Sequence, residues 1–228
     1  MERIDKLLSH EGYGSRKDIK KLLRNYEVLL NGKQIFDPAT QIDISKDTLC
    51  IDGEIVDFHS EIYLMMNKIQ HTISSNKDGE HQTVFDLLED DLKTPYLQDK
   101  LHLVGRLDMD SDGLLLMTND GALADVLTHP KHKIPKIYHV HVRGTVTDEQ
   151  LKILRSALVI DGYKIMPVKV TPLPCSESNT SVLEMTLFEG RNRQIRKMCD
   201  IASLKIKRLC RVAIGDIKLG KLAVGKWR

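Results

Sequence analysis

The 228-residue chain has few aromatic residues, and several patterns that mark common enzyme classes are absent from it. Phe, Trp and Tyr make up 5% of the sequence, a small share for a cleft that would stack sugar rings. No G-x-x-x-x-G-K-[ST] loop occurs, so nucleotide hydrolysis has no support. No apolar run approaches the roughly 18 residues of a membrane helix. Charged residues of both signs occur within the first six positions, unlike in a signal peptide.

The cysteines and histidines form no recognisable metal-binding pattern. Cys50, Cys175, Cys199 and Cys210 are widely spaced, without a C-x-x-C pair, and the nine histidines include no H-E-x-x-H sequence. We therefore predict reduced thiols in a cytoplasmic protein, with no metal site and no disulfide framework.

The net charge of +2 conceals a strongly basic C-terminal segment. Residues 189–228 contain 12 Lys and Arg against 3 Asp and Glu, whereas residues 1–62 and 63–188 are slightly acidic. A basic segment on a nearly neutral protein indicates a localised surface for a polyanion. A solvated helix face would have the same composition, and charge alone leaves both interpretations open.

Residues 1–58 are predicted to form a small helix-and-sheet domain. Ile4, Leu7 and Leu8 have the spacing of a helix, and Ser15 can cap a second helix, one face of which is basic. The Asn31-Gly32 pair is a strong hairpin signal between two apolar stretches. Residues 59–62 then form a linker.

Residues 63–228 mix strands and helices without a regular βα repeat, which favours an α+β fold. Strands are predicted in "EIYLMMNKI", "LHLVGRLD", "GLLLMT", "KIYHVHVRG" and "SVLEMTLFEG". Helices are predicted to begin at Val84, to span "DEQLKILRSAL" and to lie within "GRNRQIRKMCDIAS". The last of these carries an apolar stripe opposite several basic residues.

The stretch "GRLDMDSDGLLLMTND" places three carboxylates on a polar turn before an apolar run. Asp108, Asp110 and Asp112 suit a turn, and Leu114 to Met117 suit a buried strand, with Gly113 expected to separate the strands on either side. A polar turn supported by a buried strand often carries chemistry. An ordinary solvated loop could have the same residues, so the turn alone does not distinguish a catalytic site from a surface loop.

Three blocks of the chain resemble a known family. "RIDKLLSHEGYGSRKDIKKLLRNYEVLLNG" resembles the RNA-binding module shared with a small-subunit ribosomal protein. "GRLDMDSDGLLLMTND" and "EGRNRQIRKMC", with the ending "RLCRVAIGDIKLGKLAVGKWR", resemble the signatures of the RsuA-like ribosomal RNA pseudouridine synthases. The resemblance covers nearly the whole chain.

The resemblance implies a mixed, largely antiparallel catalytic sheet and conversion of one uridine of ribosomal RNA to pseudouridine, without metal or cofactor. It implies that Asp108 is the catalytic aspartate and that Tyr138 contacts the target base. It assigns the basic partner of the aspartate to Arg196, with Arg193 as the alternative. We therefore expect a buried pair of Asp108 and Arg196, because a nearby cation favours the ionised carboxylate, while Asp110 and Asp112 shape and solvate the turn.

The RNA-binding residues are expected on the catalytic turn, the C-terminal helix and the basic N-terminal helix. They are Arg106, Arg193, Lys197, Arg16, Lys17, Lys20, Lys21 and Arg24. Two departures from the family pattern stand out: Ile69 occupies a position that is usually proline, which makes RNA contacts by Lys68 less certain, and Ser111 replaces threonine.

The compact form of the chain resembles the family member that acts on 16S RNA of the small subunit. A synthase acting on 23S RNA and a non-catalytic ribosome-assembly protein remain as alternatives. A glycoside hydrolase with paired carboxylates would leave the arginine-rich helix unexplained. The expected partner is ribosomal RNA or a ribosomal assembly intermediate, with no membrane association, and the chain is expected to act as a monomer.

Overall fold

The computed structural model describes residues 1–11, 13–56, 58, 61–88 and 101–228, and the chain divides into two compact units, Met1–Ser60 and Glu61–Arg228. Both units contain helices and strands, which confirms the predicted α+β class. In the described part of the chain, no helix has the length and apolarity needed to cross a bilayer.

The first unit begins with the two predicted helices, α1 (Ile4–His10) and α2 (Arg16–Asn25). The Ser15 side chain accepts a hydrogen bond from the Asp18 backbone, and the Asp18 carboxylate accepts one from the Ser15 backbone. This reciprocal pair satisfies N–H groups that the first helical turn leaves free, and it fixes where α2 begins. Ile19 and Leu23 face the core of the unit.

The strands of the first unit are short: β1 (Glu2–Arg3), β2 (Val28–Leu30), β3 (Lys33–Gln34), β4 (Gln41–Ile42), β5 (Leu49–Ile51) and β6 (Glu54–Ile55). Four of them form a sheet in the order β3-β2-β5-β6, and β1 pairs with β4. Asn31 and Gly32 join β2 to β3 with φ angles of 51° and 78°, as the predicted hairpin requires.

The strands of the second unit are β7 (Tyr63–Lys68), β8 (His102–Leu103), β9 (Asp112–Thr118), β10 (Lys136–Arg143), β11 (Val159–Ile160), β12 (Tyr163–Lys164), β13 (Lys169–Leu173), β14 (Thr180–Leu187), β15 (Ile206–Ile214) and β16 (Ile217–Lys218). The main sheet has the order β13-β14-β10-β15-β9-β7, with β16 on β15 and β8 on β9. Its strands pair antiparallel except for the parallel contact of β9 with β15. The predicted mixed, largely antiparallel sheet is therefore confirmed.

Three helices belong to this unit within the described residues: α3 (Gly121–Thr128), α4 (Asp148–Arg155) and α5 (Gln194–Ile201). The sequence patterns predicted α4 and α5 but not α3, which is capped by the Asp120 side chain. Of the helix predicted from Val84, the described residues contain one 3-10 turn, Phe85–Leu87, and the residues that follow Leu88 lie outside the described part. Helices α4 and α5 pack on β10, β13, β14 and β15 through one apolar core.

Strand β9 is buried on both faces, which explains its continuous apolar run. Leu115 and Met117 pack in one core cluster with Phe85, whereas Leu114 and Leu116 pack in another. Because both faces are covered, this strand is a rigid support for the turn that precedes it.

The boundaries around this turn differ from the prediction. Strand β8 contains only two residues of "LHLVGRLD", and the rest belongs to the turn. Gly113 does not separate two strands but lies within β9, with a φ of 103°. A Cβ at this position would lie 2.3 Å from the carbonyl oxygen of Arg211 on β15, so only glycine permits this close approach of the two strands.

Candidate active site

A cavity of about 630 Å³ opens beside the turn of residues 105–111, which we call the aspartate turn. Its walls are this turn, residues 189–195 at the start of α5, and the facing ends of β10 and β15. Asp108 and Tyr138 both line it, together with Arg106, Arg191 and Arg193. Two carboxylates, those of Asp108 and Glu189, one aromatic ring and several cations therefore share a single cavity.

Lys68 holds the aspartate turn from beneath. Its side chain is fully buried at the end of β7, and its ammonium group donates to the carbonyl oxygens of Ile69, Asp108 and Ser111 at 3.0, 3.2 and 2.8 Å. Burial lowers the pKa of Lys68 to about 8, and the negative charges of the aspartates oppose that shift. Lys68 is thus a support of the turn rather than the RNA contact considered from the sequence.

The segment that follows β7 fixes two more residues of the turn. The Ser74 hydroxyl donates to the carbonyl oxygen of Leu107 at 2.8 Å and accepts from its N–H at 3.1 Å. The His71 N–H donates to the carbonyl oxygen of Met109 at 2.7 Å. His71 reaches this position with a φ of 65°, so the altered sequence after Lys68 still places a donor against the turn.

The Asp108 carboxylate is half-exposed and lies between two arginines. Its Oδ2 atom is 3.9 Å from Nε of Arg196 and 4.0 Å from Nη1 of Arg193, and its side chain is 34% exposed. Among the described residues, none donates a hydrogen bond to this carboxylate. The lone pairs of its oxygens therefore stay available to a substrate.

Arg196 makes its closest contacts with Asp110 and Ser111, not with Asp108. Its Nη2 atom donates to the carbonyl oxygen of Asp110 at 3.0 Å and to the hydroxyl of Ser111 at 3.1 Å. The same atom forms an ion pair with Asp110 Oδ1 at 2.9 Å, without the alignment of a hydrogen bond. Arg196 is not among the residues that line the cavity, so it lies behind the turn, and the expected fully buried Asp108–Arg196 pair is a looser contact.

The other two aspartates differ in their exposure: the Asp110 side chain is 43% exposed, as expected for a turn residue, whereas Asp112 is buried, contrary to the expectation. Asp110 is held by Arg196 and, at 3.4 Å, by Arg193. Asp112 is buried at the start of β9, where both of its oxygens accept from Arg208 at 2.8 and 3.1 Å. The tertiary contacts convert two turn residues into ion-pair partners because β15 and α5 place arginines against them.

Tyr138 lies on β10 across the cavity from the aspartate turn. It is half-buried against the core under α4 and α5, and its neighbours across the sheet are Met185 and Arg211. An aromatic ring held in this way offers a flat apolar surface to a planar ligand.

The residues predicted to bind RNA separate into three groups. Arg106 and Arg193 reach the cavity. Lys197 instead pairs with Asp161 and is not a lining residue. The basic residues of α2 are all exposed in the first unit: Arg16, Lys17, Lys20, Lys21 and Arg24.

Besides Arg191, two further basic residues of the cavity were not among the predicted site residues. Lys136 is buried at the start of β10, two residues before Tyr138 and on the same face of the strand. Arg211 is buried on β15, where its Nε donates to the Leu114 carbonyl oxygen at 2.8 Å. The alternation along β10 was a usable signal for Lys136, because a residue two positions from Tyr138 shares its face. No local signal marked Arg211.

No group of three or more His, Cys, Asp or Glu residues is arranged to hold a metal ion within the described ranges. Cys199 and Cys210 are buried free thiols, and burial raises the pKa of each to about 12. They are therefore inert thiols. Of the two carboxylates that line the cavity, Glu189 accepts hydrogen bonds from the Met166 N–H and the Gln194 side chain, whereas Asp108 accepts none from the described residues.

Comparison with known proteins assigns each unit to the family that its sequence blocks resemble. Residues 62–200 match the RNA pseudouridylate synthase family, and residues 2–49 match the S4 domain. The uncharacterized RNA pseudouridine synthase YtzG of Bacillus subtilis (strain 168) is 37% identical over 99% of this chain and 93% of its own length.

Two other similar proteins carry more specific names. Ribosomal large subunit pseudouridine synthase B of Bacillus subtilis (strain 168) is 31% identical over 100% of this chain and 91% of its own length, and the protein of that name from Buchnera aphidicola is 34% identical over 99% and 91%. A crystal structure of a pseudouridylate synthase aligns with all of this chain and 95% of its own, with a TM-score of 0.65 and 28% identity.

Proposed function

Because this chain belongs to the RNA pseudouridylate synthase family, we propose that it converts a uridine of ribosomal RNA to pseudouridine, with Asp108 as the catalytic carboxylate. The observation that carries this assignment is the environment of Asp108. Its carboxylate lines the cavity, two arginines lie at 3.9 and 4.0 Å, and no described residue hydrogen-bonds to it. An ionised carboxylate with free lone pairs is suited to act on a ribose carbon or its proton.

Binding must first turn the target uridine out of the RNA, since its glycosidic bond is otherwise hidden. Arg106, Arg191 and Arg193 line the cavity and supply the positive charge that phosphates of the extruded nucleotide require. Tyr138 offers its ring to the uracil from the opposite wall. The base and the ribose then lie between Tyr138 and Asp108.

The isomerisation breaks the bond between N1 of uracil and C1′ of ribose, and the electron pair leaves with the base. The Asp108 carboxylate either bonds to C1′ or removes the proton from C2′, so the ribose is left without a net positive charge. The base then turns and forms the bond from C5 to C1′, which releases the carboxylate or returns the C2′ proton. Loss of the C5 proton and protonation of N1 complete an isomerisation with no net change in atoms.

Arg196 serves this chemistry from behind the aspartate turn. Its contacts with the Asp110 carbonyl oxygen and the Ser111 hydroxyl fix the turn, and its Nε carries positive charge toward Asp108. We therefore assign it the positioning of Asp108 and the stabilisation of its negative charge.

Large-subunit ribosomal RNA is the first target to test. Two of the similar proteins are named as large-subunit synthases, whereas the 16S assignment depends on the compact form of the chain and stays a prediction. The S4 match over residues 2–49, with the exposed basic face of α2, supports RNA recognition by the first unit. Whether free RNA or an assembly intermediate is bound, and whether the chain acts as a monomer, also stay predictions.

Two alternative functions fit the cavity less well. A glycoside hydrolase needs a second free carboxylate, but Asp110 is engaged by Arg196 and Arg193. A non-catalytic RNA-binding protein would have no use for a half-exposed carboxylate supported from beneath by a buried lysine.

The decisive experiment maps pseudouridine in 16S and 23S RNA from cells with and without the gene. Restoring the gene should restore one missing pseudouridine, and restoring it with Asp108→Asn should not. Identical maps with and without the gene, in both RNAs, would refute the proposed function.

A further inference from the structure

Lys136 and Arg211 form a pair of buried cations in the wall of the cavity. They lie on the neighbouring strands β10 and β15, flanking Tyr138, and both line the cavity that contains Asp108. Lys136 is 8% exposed and Arg211 is 3% exposed. Burial and the nearby charge of Arg211 lower the pKa of Lys136, so the two charges are close enough to repel each other.

No anion compensates this pair among the residues that the structure describes. Arg211 donates only to backbone carbonyl oxygens, those of Leu114 at 2.8 Å and Arg106 at 3.5 Å, and its Nη2 atom is buried without a hydrogen-bond partner. Within the same described ranges, Lys136 has neither an ion pair nor a side-chain hydrogen bond. Buried cations without a counter-charge reduce stability, so their presence beside a cavity indicates a bound anion.

The depth of the pair indicates which part of the substrate it meets. Arg191 and Arg193 are more accessible, Arg193 with 47% of its side chain exposed, and they suit phosphates of the backbone. Lys136 and Arg211 lie deeper, beside the ring of Tyr138. A base inserted next to that ring would bring its carbonyl oxygens toward the cations.

We infer that Lys136 and Arg211 bind the carbonyl oxygens of the target uracil and stabilise the negative charge that it carries while it is detached from the ribose. This assignment rests on the proposed function. When the N1–C1′ bond breaks, the electron pair remains on the base, and its charge is shared between N1 and the O2 and O4 oxygens. The two cations oppose that charge until C5 bonds to C1′, and they take no proton or electron themselves.

The test is Lys136→Met in the full chain, which removes the charge and keeps most of the side-chain volume. Single-turnover conversion of protein-free 16S and 23S RNA transcripts should slow by about 10²-fold, the typical effect of losing one group that stabilises developing charge. The midpoint of thermal unfolding should stay the same or rise, because an uncompensated buried cation has been removed. The RNA dissociation constant and its salt dependence should not change.

Two further variants separate charge from shape. Lys169→Met makes the same substitution on an exposed residue of β13 outside the cavity, and should convert RNA at the wild-type rate. Lys136→Arg keeps the charge and should convert RNA faster than Lys136→Met, although methionine is the easier residue to bury. Equal slowing in folded Lys136→Arg and Lys136→Met would overturn the inference.

Two other results would also overturn it. A wild-type rate in Lys136→Met would show that the charge is not used. Weaker RNA binding, with the salt slope reduced by roughly one unit, would assign Lys136 to a phosphate instead. If the wild-type protein converts neither RNA and the cellular maps with and without the gene are identical, the proposed function itself fails; if only the variant results differ from expectation, the proposed function stands and the role of the pair is wrong.

Discussion

Replacing Lys68 with methionine should disable the aspartate turn and leave the rest of the chain folded. The change leaves three carbonyl oxygens without the donor that now binds them at 2.8 to 3.2 Å. Each lost hydrogen bond should cost about 2 kcal/mol. It also relieves the burial of a charge. The fall of the Lys68 pKa from 10.5 to about 8 corresponds to about 3 kcal/mol. The net loss of unfolding free energy should therefore be about 3 kcal/mol.

The effect on activity should be larger than the effect on stability. Lys68 binds the carbonyl oxygen of Asp108 itself, so its removal allows the carboxylate that we propose as the catalytic group to shift. A displacement of about 1 Å at a reacting group can reduce the rate about 10²-fold. Single-turnover conversion should fall by at least that factor, while RNA binding should persist because its cations lie elsewhere.

From the lowered pKa of Lys68 we also predict that activity depends on pH. Below pH 8 its ammonium has three protons for three carbonyl oxygens, and above pH 8 the neutral amine has only two. Activity should therefore fall as the pH rises through about 8. The same titration does not destabilise the fold: between pH 8 and 10.5 the unfolded chain binds more protons at this group, so its contribution to the unfolding free energy rises with pH.

The assay is single-turnover conversion of transcribed RNA from pH 6.5 to 9, beside thermal unfolding at each pH. Lys68→Met is the control, because its weak residual activity should lack the fall near pH 8. The reasoning is refuted if folded Lys68→Met retains more than a tenth of the wild-type rate, or if its activity falls near pH 8 as the wild type does.

Three further substitutions test the site, the strand pairing and the RNA surface. Asp108→Asn should abolish pseudouridine formation in a single-turnover assay and leave RNA affinity unchanged, because only the negative charge is removed. Gly113→Ala should reduce the unfolding free energy by at least about 2 kcal/mol in chemical denaturation, since the new Cβ would lie 2.3 Å from a backbone oxygen of β15. Replacing Lys20, Lys21 and Arg24 with Ala should weaken RNA binding and reduce its salt slope by roughly one unit per lost phosphate contact.

The first two of these predictions have a matched control variant. Asp112→Asn changes a carboxylate that pairs with Arg208 outside the chemistry, and should lose stability while retaining conversion. Equal loss of conversion in folded Asp108→Asn and Asp112→Asn would point to a structural turn. Gly53→Ala, at a positive φ with open space around it, controls for backbone strain without a clash. An unchanged salt slope in the triple variant would show that the face of α2 is only solvated.

Features that depend on near neighbours in the chain could be predicted from the sequence. The capping of α2 by Ser15 and Asp18 needs residues three apart, and the hairpin at Asn31-Gly32 needs only backbone angles that these two residues tolerate. The polar turn before β9 follows from an apolar run preceded by aspartates. The family blocks in turn indicated the chemistry and the candidates Asp108 and Tyr138, both of which line one cavity.

The ion pairs around the aspartates could not be predicted, because they depend on strand order and register. Arg208 and Arg196 follow the turn by more than 80 residues in the chain, and the pairing of β15 with β9 brings one of them to Asp112 while α5 brings the other to Asp110. The same pairing leaves room only for Gly113 beside Arg211.

The sequence by itself determined the fold class and the position of the aspartate turn, and it suggested the chemistry that we propose for that turn, since short-range preferences and the family blocks carry that information. Tertiary structure alone decided what surrounds Asp108. Lys68 looked like a possible RNA contact, yet it is fully buried under the turn; Lys136 and Arg211 looked like ordinary basic residues of strands, yet both are buried in the cavity wall. A side chain's partners are set by where distant strands meet, and no local pattern encodes that position.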